Sequence, residues 1–258
     1  VPAKKLLEAK ALAARYDAPI LIHMAEFENE PSLIASREPD FRKDAPEESV
    51  VEYLDRIGFL GDEVIAAHVS FVDETDMAIL KRRGVGVGHN PKANSKGISG
   101  LSPAWEMYQM GLDIGLGTDG PMSSNQMDIL NVMTFAASVA RLRLNDPKLF
   151  TPLELVEMAT LGGARALNRV EDLGSLEVGK LADLVLLDRH APNMQPNYDP
   201  YATIAFSAYP ANVRATVVNG AVIVHEGAVE TVDRAVHQAE WDAVVAKVAG
   251  FAETLEAR

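Results

Sequence analysis

The stretch VIAAHVSFVDETDMAILKRRGVGVGH, residues 64–89, contains one complete repeat of the expected fold. Its first five residues, 64–68, form an apolar run of the length of a buried strand. Residues 73–83 have helical spacing, and Gly84 ends that pattern. A second apolar run follows at residues 85–89. A strand, a helix and another strand in this order predict a parallel β-α-β unit.

The same alternation extends on both sides of this unit. Further strands are predicted at residues 19–23 and 113–117, and helical patterns cover residues 4–16, 49–57, 105–110, 128–142 and 152–167. The polar segments 28–48 and 90–102 are predicted as loops, the first with some helix. Four parallel strands with helical crossovers leave two architectures, a doubly wound sheet or a (β/α)₈ barrel.

After residue 173 the pattern changes to apolar runs separated by glycines. The segments GSLEVGKLADLVLLD (174–188) and ATVVNGAVIVHEGAV (215–229) have no matching helices. Asn219-Gly220 predicts a hairpin between residues 215–218 and 221–224. Residues 235–255 form an amphipathic helical pattern. We therefore expect a (β/α) portion at 1–173, a small β-rich portion at 174–233 and a C-terminal helix at 234–258.

The charge balance argues against several classes of partner. The 258 residues contain 24 Lys and Arg against 37 Asp and Glu, a net charge of −13. Because no basic cluster is visible, nucleic acid and anionic membrane surfaces are poor candidates. The absence of cysteine excludes disulfides and thiolate metal sites. No apolar run approaches the ~18 residues of a spanning helix, and charges interrupt the first residues, so a cytoplasmic location is expected.

Each predicted strand ends on or near a side chain that can bind a metal or transfer a proton. These are His23, His68, His89 and Asp119, in chain order. In parallel β/α folds, active sites form at the carboxyl ends of the strands. Taken singly, each histidine could be a packing residue, and Asp119 could be a helix N-cap. The occurrence of four such residues in four consecutive strands favours an active site.

His23-Met24-Ala25-Glu26 adds a carboxylate just beyond the first strand. A residue three positions after a strand histidine can face the same site only if the chain has begun to turn. Glu26 could then shuttle protons to and from an activated water. The alternative is that Glu26 is a solvated loop charge, like Glu28 and Glu30.

The segments LIHMAE, AAHVS, GHNPKANSKGISGLSP and LGTDGPMSSN together resemble the amidohydrolase superfamily. The resemblance is to the branch of cytosine and guanine deaminases, methylthioadenosine/S-adenosylhomocysteine deaminases and triazine hydrolases. The segment GSLEVGKLADLVLLD is similar to this family's return into its β-sandwich domain. The resemblance implies the C-terminal half, strands five to eight, of a metal-dependent (β/α)₈ barrel with part of a small β-sandwich domain.

The resemblance also implies roles for individual residues. His23 and Asp119 would bind one divalent metal, with Zn²⁺ expected and Fe²⁺ or Mn²⁺ as alternatives. Asp119 could also accept a proton from the nucleophilic water. Glu26 would be the proton shuttle, and His68 would hydrogen-bond the attacking hydroxide or the tetrahedral centre. Ser123 would line the substrate pocket. Three further residues of the GHNP region, His89, Asn94 and Ser95, are expected to shape the loop after their strand rather than to bind metal.

One element of this family's metal site is missing from the sequence. The family has a His-x-His pair at the end of its first barrel strand, and no His-x-His occurs here. A (β/α)₈ barrel takes ~250 residues, whereas residues 1–173 hold four strand units. Two explanations are open. The first, which we favour, is that the N-terminal half of the barrel is missing from this chain or is supplied as another chain. The second is that the chain is a short protein that has lost the site.

The expected activity is hydrolytic deamination of an aminated heterocycle with release of ammonia. An adenosine, methylthioadenosine or S-adenosylhomocysteine type of substrate is favoured, because LGTDGPMSSN and the HNP loop are most similar to that group. A triazine-type hydrolase that displaces chloride or a substituted amine is the alternative enzyme. An inactive scaffold or one part of a split enzyme is the alternative that the missing His-x-His suggests. A homodimer is expected from the resemblance alone.

Overall fold

The parallel sheet predicted from the strand-helix alternation is present. The computed structural model describes residues 1–256, and their side chains as far as residue 252. Its four parallel strands lie in the order β1-β2-β3-β4. They are β1 (Ile20–Met24), β2 (Val64–His68), β3 (Gly86–His89) and β4 (Ile114–Leu116). Met24 pairs with His68 and His89 pairs with Leu116, so the carboxyl ends of all four strands lie at one edge.

Helices connect and cover these strands. The helices of this part of the chain are α1 (Ala3–Tyr16), α2 (Glu30–Ala35), α3 (Val50–Arg56), α4 (Glu74–Arg83), α5 (Pro91–Gly97), α6 (Ala104–Met110), α7 (Pro121–Ser124), α8 (Ile129–Leu144), α9 (Pro152–Glu157) and α10 (Gly163–Ala166). A π-helical turn, Met158–Gly162, joins α9 to α10. Among the described residues, no helix combines the length and the apolar character needed to cross a membrane.

Local sequence signals set several helix starts. Ser49 and Glu52 form a capping box before α3, Asp73 and Asp76 form one before α4, and Thr151 and Glu154 form one before α9. In each, the first side chain accepts a hydrogen bond from a backbone N–H that the helix leaves unpaired. These caps explain why the predicted bounds of α3 and α4 agree with the structure to within about a residue at each end.

The helical segment after α9 lies directly against the sheet. A Cβ added to Gly86 would lie 2.1 Å from the carbonyl oxygen of Ala166, and one added to Gly115 would lie 2.7 Å from the Cα of Gly163. Side chains at those strand positions would therefore force the helix away. The π-helical turn Met158–Gly162 falls just before this contact. The sequence pattern predicts a single regular helix over 152–167, because a π-helical turn has no sequence signal of its own.

The apolar core lies between the sheet and its helices. Its largest fully buried side chains include Phe59, Phe150, Met24, Leu80 and Met107. They come from a strand, from helices and from connecting segments, so the core depends on the whole strand-helix arrangement. Burying side chains of this size contributes roughly 1.5–3 kcal/mol each.

The chain divides into two compact units. The first comprises Val1–Lys180 and Arg189–Pro210, and the second comprises Leu181–Asp188 and the chain from Ala211 on. The segment 189–210 returns to the first unit with α11 (Pro200–Phe206), whose Ala205 carbonyl accepts a hydrogen bond from Thr134 Oγ1 at 3.0 Å. The sequence pattern predicted no helix at this place.

The second unit contains an antiparallel sheet and a long helix. Its strands are β5 (Leu184–Leu187), β6 (Val213–Val218), β7 (Ala221–His225) and β8 (Ala228–Val229), in that spatial order, and its helix is α12 (Arg234–Glu256). The predicted hairpin is confirmed: Asn219 and Gly220 join β6 to β7 with φ values of 48° and 79°. Positive φ at both turn residues is what a two-residue hairpin of this kind requires.

The predicted loop after β3 begins instead with helix α5. Asn90 precedes the helix and Pro91 occupies its first position, where a fixed φ is an advantage and a missing N–H costs little. Ala93 and Asn94 are buried on one side of α5, whereas Ser95 and Lys96 are exposed. The polar composition therefore gave no sign of this seven-residue helix, whose buried side includes an asparagine.

Candidate active site

The side chains at the strand ends converge at the carboxyl edge of the parallel sheet. His23, His68 and Asp119 each offer a ligand atom, and these atoms all lie within 4.8 Å of one another. The rings of His23 and His68 are in edge-to-face contact, with centroids 4.8 Å apart. The site has one open side, because the His23 side chain is 67% exposed and the His68 side chain is 1% exposed.

Glu26 lies between the two histidines. Its Oε2 is 3.4 Å from Nδ1 of His23 and 3.8 Å from Nε2 of His68. The chain turns directly after β1, and the Glu26 N–H donates to Glu30 Oε2 at 2.8 Å, which holds this turn in place. Burial raises the pKa of the Glu30 carboxyl, and the backbone N–H donors act in the opposite direction. The Glu26 side chain is only 17% exposed, so it is not a freely solvated loop charge.

Asp119 is not the N-cap of the following helix. The cap of α7 is Gly120, and no side chain caps that helix. The Asp119 Oδ1 instead accepts a hydrogen bond from Gly120 N at 2.7 Å. Gly117 leaves space for Asn90, since a Cβ added there would lie 2.1 Å from Asn90 Oδ1. The close neighbour of Gly117 is thus an asparagine side chain.

The backbone of the site is unusual. Ala25, His68, Val69 and Asp119 have φ values of 49°, 74°, 47° and 58°. Non-glycine residues seldom adopt positive φ, and a β-branched residue such as Val69 does so very rarely. Hydrogen bonds from Val69 N to the Met24 carbonyl (3.1 Å) and from Ser70 N to the Ala25 carbonyl (2.9 Å) join the segments that follow β1 and β2. Such conformations cluster at functional sites, where the surrounding structure fixes side chains in place.

His68 has one satisfied and one unsatisfied ring nitrogen. Nδ1 lies 2.8 Å from Oδ1 of Asn94, and Nε2 is buried without a hydrogen-bond partner among the described residues. Asn94 in turn donates through Nδ2 to Ser70 Oγ at 2.6 Å. The sequence gave no sign of this arrangement, because Asn94 is 26 residues away from His68 and lies in a segment predicted as a loop.

His89 is held apart from this cluster as a neutral side chain. It is 3% exposed, and its Nδ1 has no hydrogen-bond partner in the described part of the chain. Burial lowers the pKa of its imidazole from 6.5 to about 3, with smaller contributions from the charges of His68 and Arg143. The interpretation of His89 as a residue that shapes the site without binding metal stays a prediction, and this geometry is consistent with it.

The remaining candidate residues lie on short helices beside the strand ends. Ser123 lies half-buried in α7, four residues after Asp119. Ser95 lies on the exposed side of α5 and donates to the Pro91 carbonyl at 2.7 Å. Ser123 is therefore close to Asp119 in sequence and lies on the helix that follows it. The hydrogen bond of Ser95 is local to its own helix.

The donor set suits a divalent metal. An imidazole from His23 and a carboxylate from Asp119 are ligand types shared by Zn²⁺, Fe²⁺ and Mn²⁺. The buried, unpaired Nε2 of His68 faces the same cluster, as a group that hydrogen-bonds a ligand of the metal would. The residues present therefore fit a metal site.

A sequence profile of the amidohydrolase family matches residues 1–223. The chain belongs to the amidohydrolase family. Among its curated relatives in the family, the 5'-deoxyadenosine deaminase of Methanopyrus kandleri is 38% identical over 222 residues, which cover 86% of this chain and 49% of that protein. The 5-methylthioadenosine/S-adenosylhomocysteine deaminase of Syntrophobacter fumaroxidans is 34% identical over 221 residues, with the same coverages.

Solved structures agree with this family assignment. A zinc-bound adenosine deaminase from Xanthomonas campestris superposes with a TM-score of 0.84 at 28% identity, covering 99% of this chain and 55% of that one. A triazine hydrolase variant superposes with a TM-score of 0.78 over 91% of this chain and 50% of that one, and at 24% identity it shows the fold alone. This amidohydrolase chain has an α/β fold and spans about half the length of the relatives it matches.

Proposed function

We propose that this chain carries half of the active site of a metal-dependent deaminase that acts on adenosine-type substrates. The observation that carries the proposal is the convergence of His23, His68 and Asp119 within 4.8 Å at the strand ends, with Glu26 beside both histidines. The names of the relatives, 5'-deoxyadenosine deaminase and methylthioadenosine/S-adenosylhomocysteine deaminase, support a 6-aminopurine nucleoside as substrate.

His23 and Asp119 would hold the metal, with zinc favoured because the adenosine deaminase neighbour was solved with zinc. When bound, a divalent cation lowers the pKa of a coordinated water towards ~7 and so makes it a nucleophile at neutral pH. One oxygen of Asp119 accepts the Gly120 N–H, which orients the carboxylate and leaves its second oxygen for a ligand. Metal ligands held by such further contacts keep a defined geometry.

Glu26 would move the protons of the reaction. Water adds to the ring carbon that bears the amine, and Glu26 accepts one water proton and passes it to the ring nitrogen. The second proton of the added water moves to the amine, which leaves as ammonia as the C=O bond forms. The net change is replacement of C–NH₂ by C=O, with one water consumed. A carboxylate 3.4 and 3.8 Å from two imidazole nitrogens is within reach of this exchange once substrate and water are bound. His68 would hydrogen-bond the attacking water, and Ser123 would contact the substrate.

The rest of the metal site would come from a preceding half-barrel. We propose that residues 1–173 are strands five to eight of a (β/α)₈ barrel, that residues 174–233 are part of a β-sandwich domain, and that residues 234–258 are a terminal helix. The coverage of about half of each relative supports this. The barrel proposal places the missing His-x-His in polypeptide outside residues 1–258, either in the same chain or in a separate subunit. The assembled protein is proposed to be a homodimer.

The test is ammonia release by the complete, zinc-loaded protein. The panel contains adenosine, 5'-deoxyadenosine, methylthioadenosine and S-adenosylhomocysteine, with a chlorinated triazine as the contrasting substrate. We expect one ammonia for each nucleoside consumed, and a Glu26→Gln protein serves as the control for contaminating deaminase. Ammonia from none of the nucleosides would exclude the proposal. Chloride release from the triazine alone would assign the alternative hydrolase.

An inactive scaffold is the second candidate, and the absent His-x-His is the observation that favours it. Metal analysis of the purified protein separates the two. The proposed deaminase would hold about one equivalent of tightly bound metal, whereas a scaffold with only His23 and Asp119 as ligands would bind a divalent ion weakly. Less than a tenth of an equivalent in the complete protein would favour the scaffold.

A further inference from the structure

A buried polar chain leads from the candidate site into helix α5. Asn94 is 3% exposed, and its side-chain amide lies between His68 on one side and Ser70 and Ser99 on the other. Oδ1 is 2.8 Å from His68 Nδ1, and Nδ2 is 2.6 Å from Ser70 Oγ and 3.5 Å from the Ser99 carbonyl. Ser70 and Ser99 are themselves buried. Every polar atom of the amide therefore has a partner away from solvent.

The partners of Asn94 fix the direction of its amide. A backbone carbonyl can only accept a hydrogen bond, so the group facing the Ser99 carbonyl must be the NH₂. The hydroxyl of Ser70 accepts from the same NH₂. The opposite orientation would set two oxygens against each other in a buried place, which is costly. Oδ1 therefore faces His68, and because Oδ1 can only accept, His68 Nδ1 must carry the proton.

We propose that Asn94 is a positioning residue that fixes the tautomer and the orientation of His68. With the proton on Nδ1, the neutral imidazole presents the lone pair of Nε2 to the cluster of His23 and Asp119. Nε2 then accepts a hydrogen bond from the attacking water and holds it for addition to the ring. This assignment deepens the proposed function and rests on it for the role of the water. The tautomer itself rests only on the contacts of Asn94.

The surroundings keep Asn94 in place. Ser102 Oγ donates to the Val69 carbonyl at 2.9 Å, which ties the segment after α5 to the backbone directly following His68. At Gly100, with φ +88°, a Cβ would lie 2.6 Å from the Phe71 ring. The segment after α5 and the segment after β2 therefore pack together too closely for any side chain at Gly100. Such packing limits the rotamers of Asn94, and a second shell with a fixed geometry is what orients a catalytic histidine.

Nitrogen NMR of the protein labelled with ¹⁵N-histidine tests the tautomer directly. The His68 signals are assigned by their loss in His68→Gln, and the spectrum is recorded on the complete protein without metal, at neutral pH. We expect the non-protonated nitrogen of His68 to be Nε2, from its coupling pattern to the two ring carbon protons. A non-protonated Nδ1 would overturn the proposal. This readout does not depend on any enzymatic activity.

Three variants test the effect on turnover. Asn94→Leu removes the acceptor at similar volume, and we expect kcat to fall about 10–100-fold with KM changed less than about threefold. Asn94→Asp keeps an acceptor towards Nδ1 but sets its second oxygen against the Ser99 carbonyl. It should therefore be less stable than wild type, and yet keep the Nδ1–H tautomer and lose less kcat than Asn94→Leu. Ser95→Ala, on the exposed side of the same helix, is the matched control and should leave kcat unchanged.

The outcomes separate this proposal from the proposed function. Deaminase activity in the wild type with equal kcat in Asn94→Leu would refute the positioning role alone. No deaminase activity in the wild type would refute the proposed function, and the wild-type NMR spectrum would still decide the tautomer. If Asn94→Leu does not fold, the wild-type spectrum decides the tautomer, and a non-protonated Nδ1 of His68 in Asn94→Asp would refute the positioning role.

Discussion

Protonation of His89 between about pH 6.5 and pH 3 should favour the unfolded state of the first unit. The imidazole is 3% exposed, it has an unpaired Nδ1, and burial lowers its pKa from 6.5 to about 3. Between these two values the unfolded chain binds a proton that the folded chain does not bind. The free energy of unfolding must therefore fall as the pH decreases below about 6.5, and the decrease ends only below the folded pKa of about 3.

The size of this effect follows from the two pKa values. At pH 5, an unfolded histidine with a pKa of 6.5 is almost fully protonated, and a folded one with a pKa of about 3 is almost fully neutral. The linkage relation then lowers the free energy of unfolding by about 2 kcal/mol relative to pH 8. Since domains are stable by only about 5–15 kcal/mol, this is a measurable fraction.

The perturbation is His89→Leu, which replaces the ring with an apolar side chain that does not titrate. The substitution also changes packing, which alters the free energy of unfolding at every pH. We therefore compare only the change in this free energy between pH 8 and pH 5. We expect the wild type to lose about 2 kcal/mol more than the variant over this interval. Two carboxyls with raised pKa values, Glu30 and Asp76, are present in both proteins, so their contributions cancel in the comparison.

Urea unfolding followed by tryptophan fluorescence measures the difference. The protein has two tryptophans, and Trp105 packs against Phe150 in the first unit with ring centroids 5.2 Å apart. A Trp241→Phe background leaves Trp105 as the reporter of the unit that contains His89. His237→Gln, an exposed histidine of α12, is the control and should match wild type. Equal pH dependence in wild type and His89→Leu would refute the reasoning.

Three further variants test the site and the packing of the sheet. Glu26→Gln should keep its metal but lose turnover about 10²-fold or more, because the amide cannot carry a proton, and unchanged ammonia release would make Glu26 a loop charge. Asp119→Ala should lose both metal and turnover, since a ligand is removed; a full equivalent of zinc by metal analysis would contradict the assignment. Gly86→Ala should lower the free energy of unfolding by about 1–3 kcal/mol in urea titrations, because its Cβ would lie 2.1 Å from the Ala166 carbonyl oxygen. Gly250→Ala, where a Cβ meets nothing within 4 Å, is the control and should not destabilise.

Local signals made much of the fold predictable. The start of α4 follows from the capping box of Asp73, and its end follows from Gly84, whose φ of 70° suits a glycine. The hairpin follows from Asn219-Gly220 for the same kind of reason. These features depend on a few adjacent residues, so the local sequence is enough to predict the backbone conformation there.

Two helical segments, α5 and the π-helical turn, could not be predicted from local signals. Helix α5 (Pro91–Gly97) was predicted as a loop, because a seven-residue helix rich in polar side chains shows no hydrophobic period. The π-helical turn Met158–Gly162 was predicted as regular helix. In both places the contact with a neighbouring element decides the conformation, and that contact is absent from local sequence.

The sequence alone determined the identities and the order of the candidate residues, since His23, His68 and Asp119 each follow a short apolar run, and parallel strands bring their carboxyl ends to one edge. Only the tertiary structure decided how these groups relate to one another. It placed Glu26 between two imidazoles, excluded Asp119 as a helix cap, and paired His68 with Asn94. The physical reason is that periodicity records burial along one element, whereas a hydrogen bond between residues 26 positions apart depends on how separate elements pack.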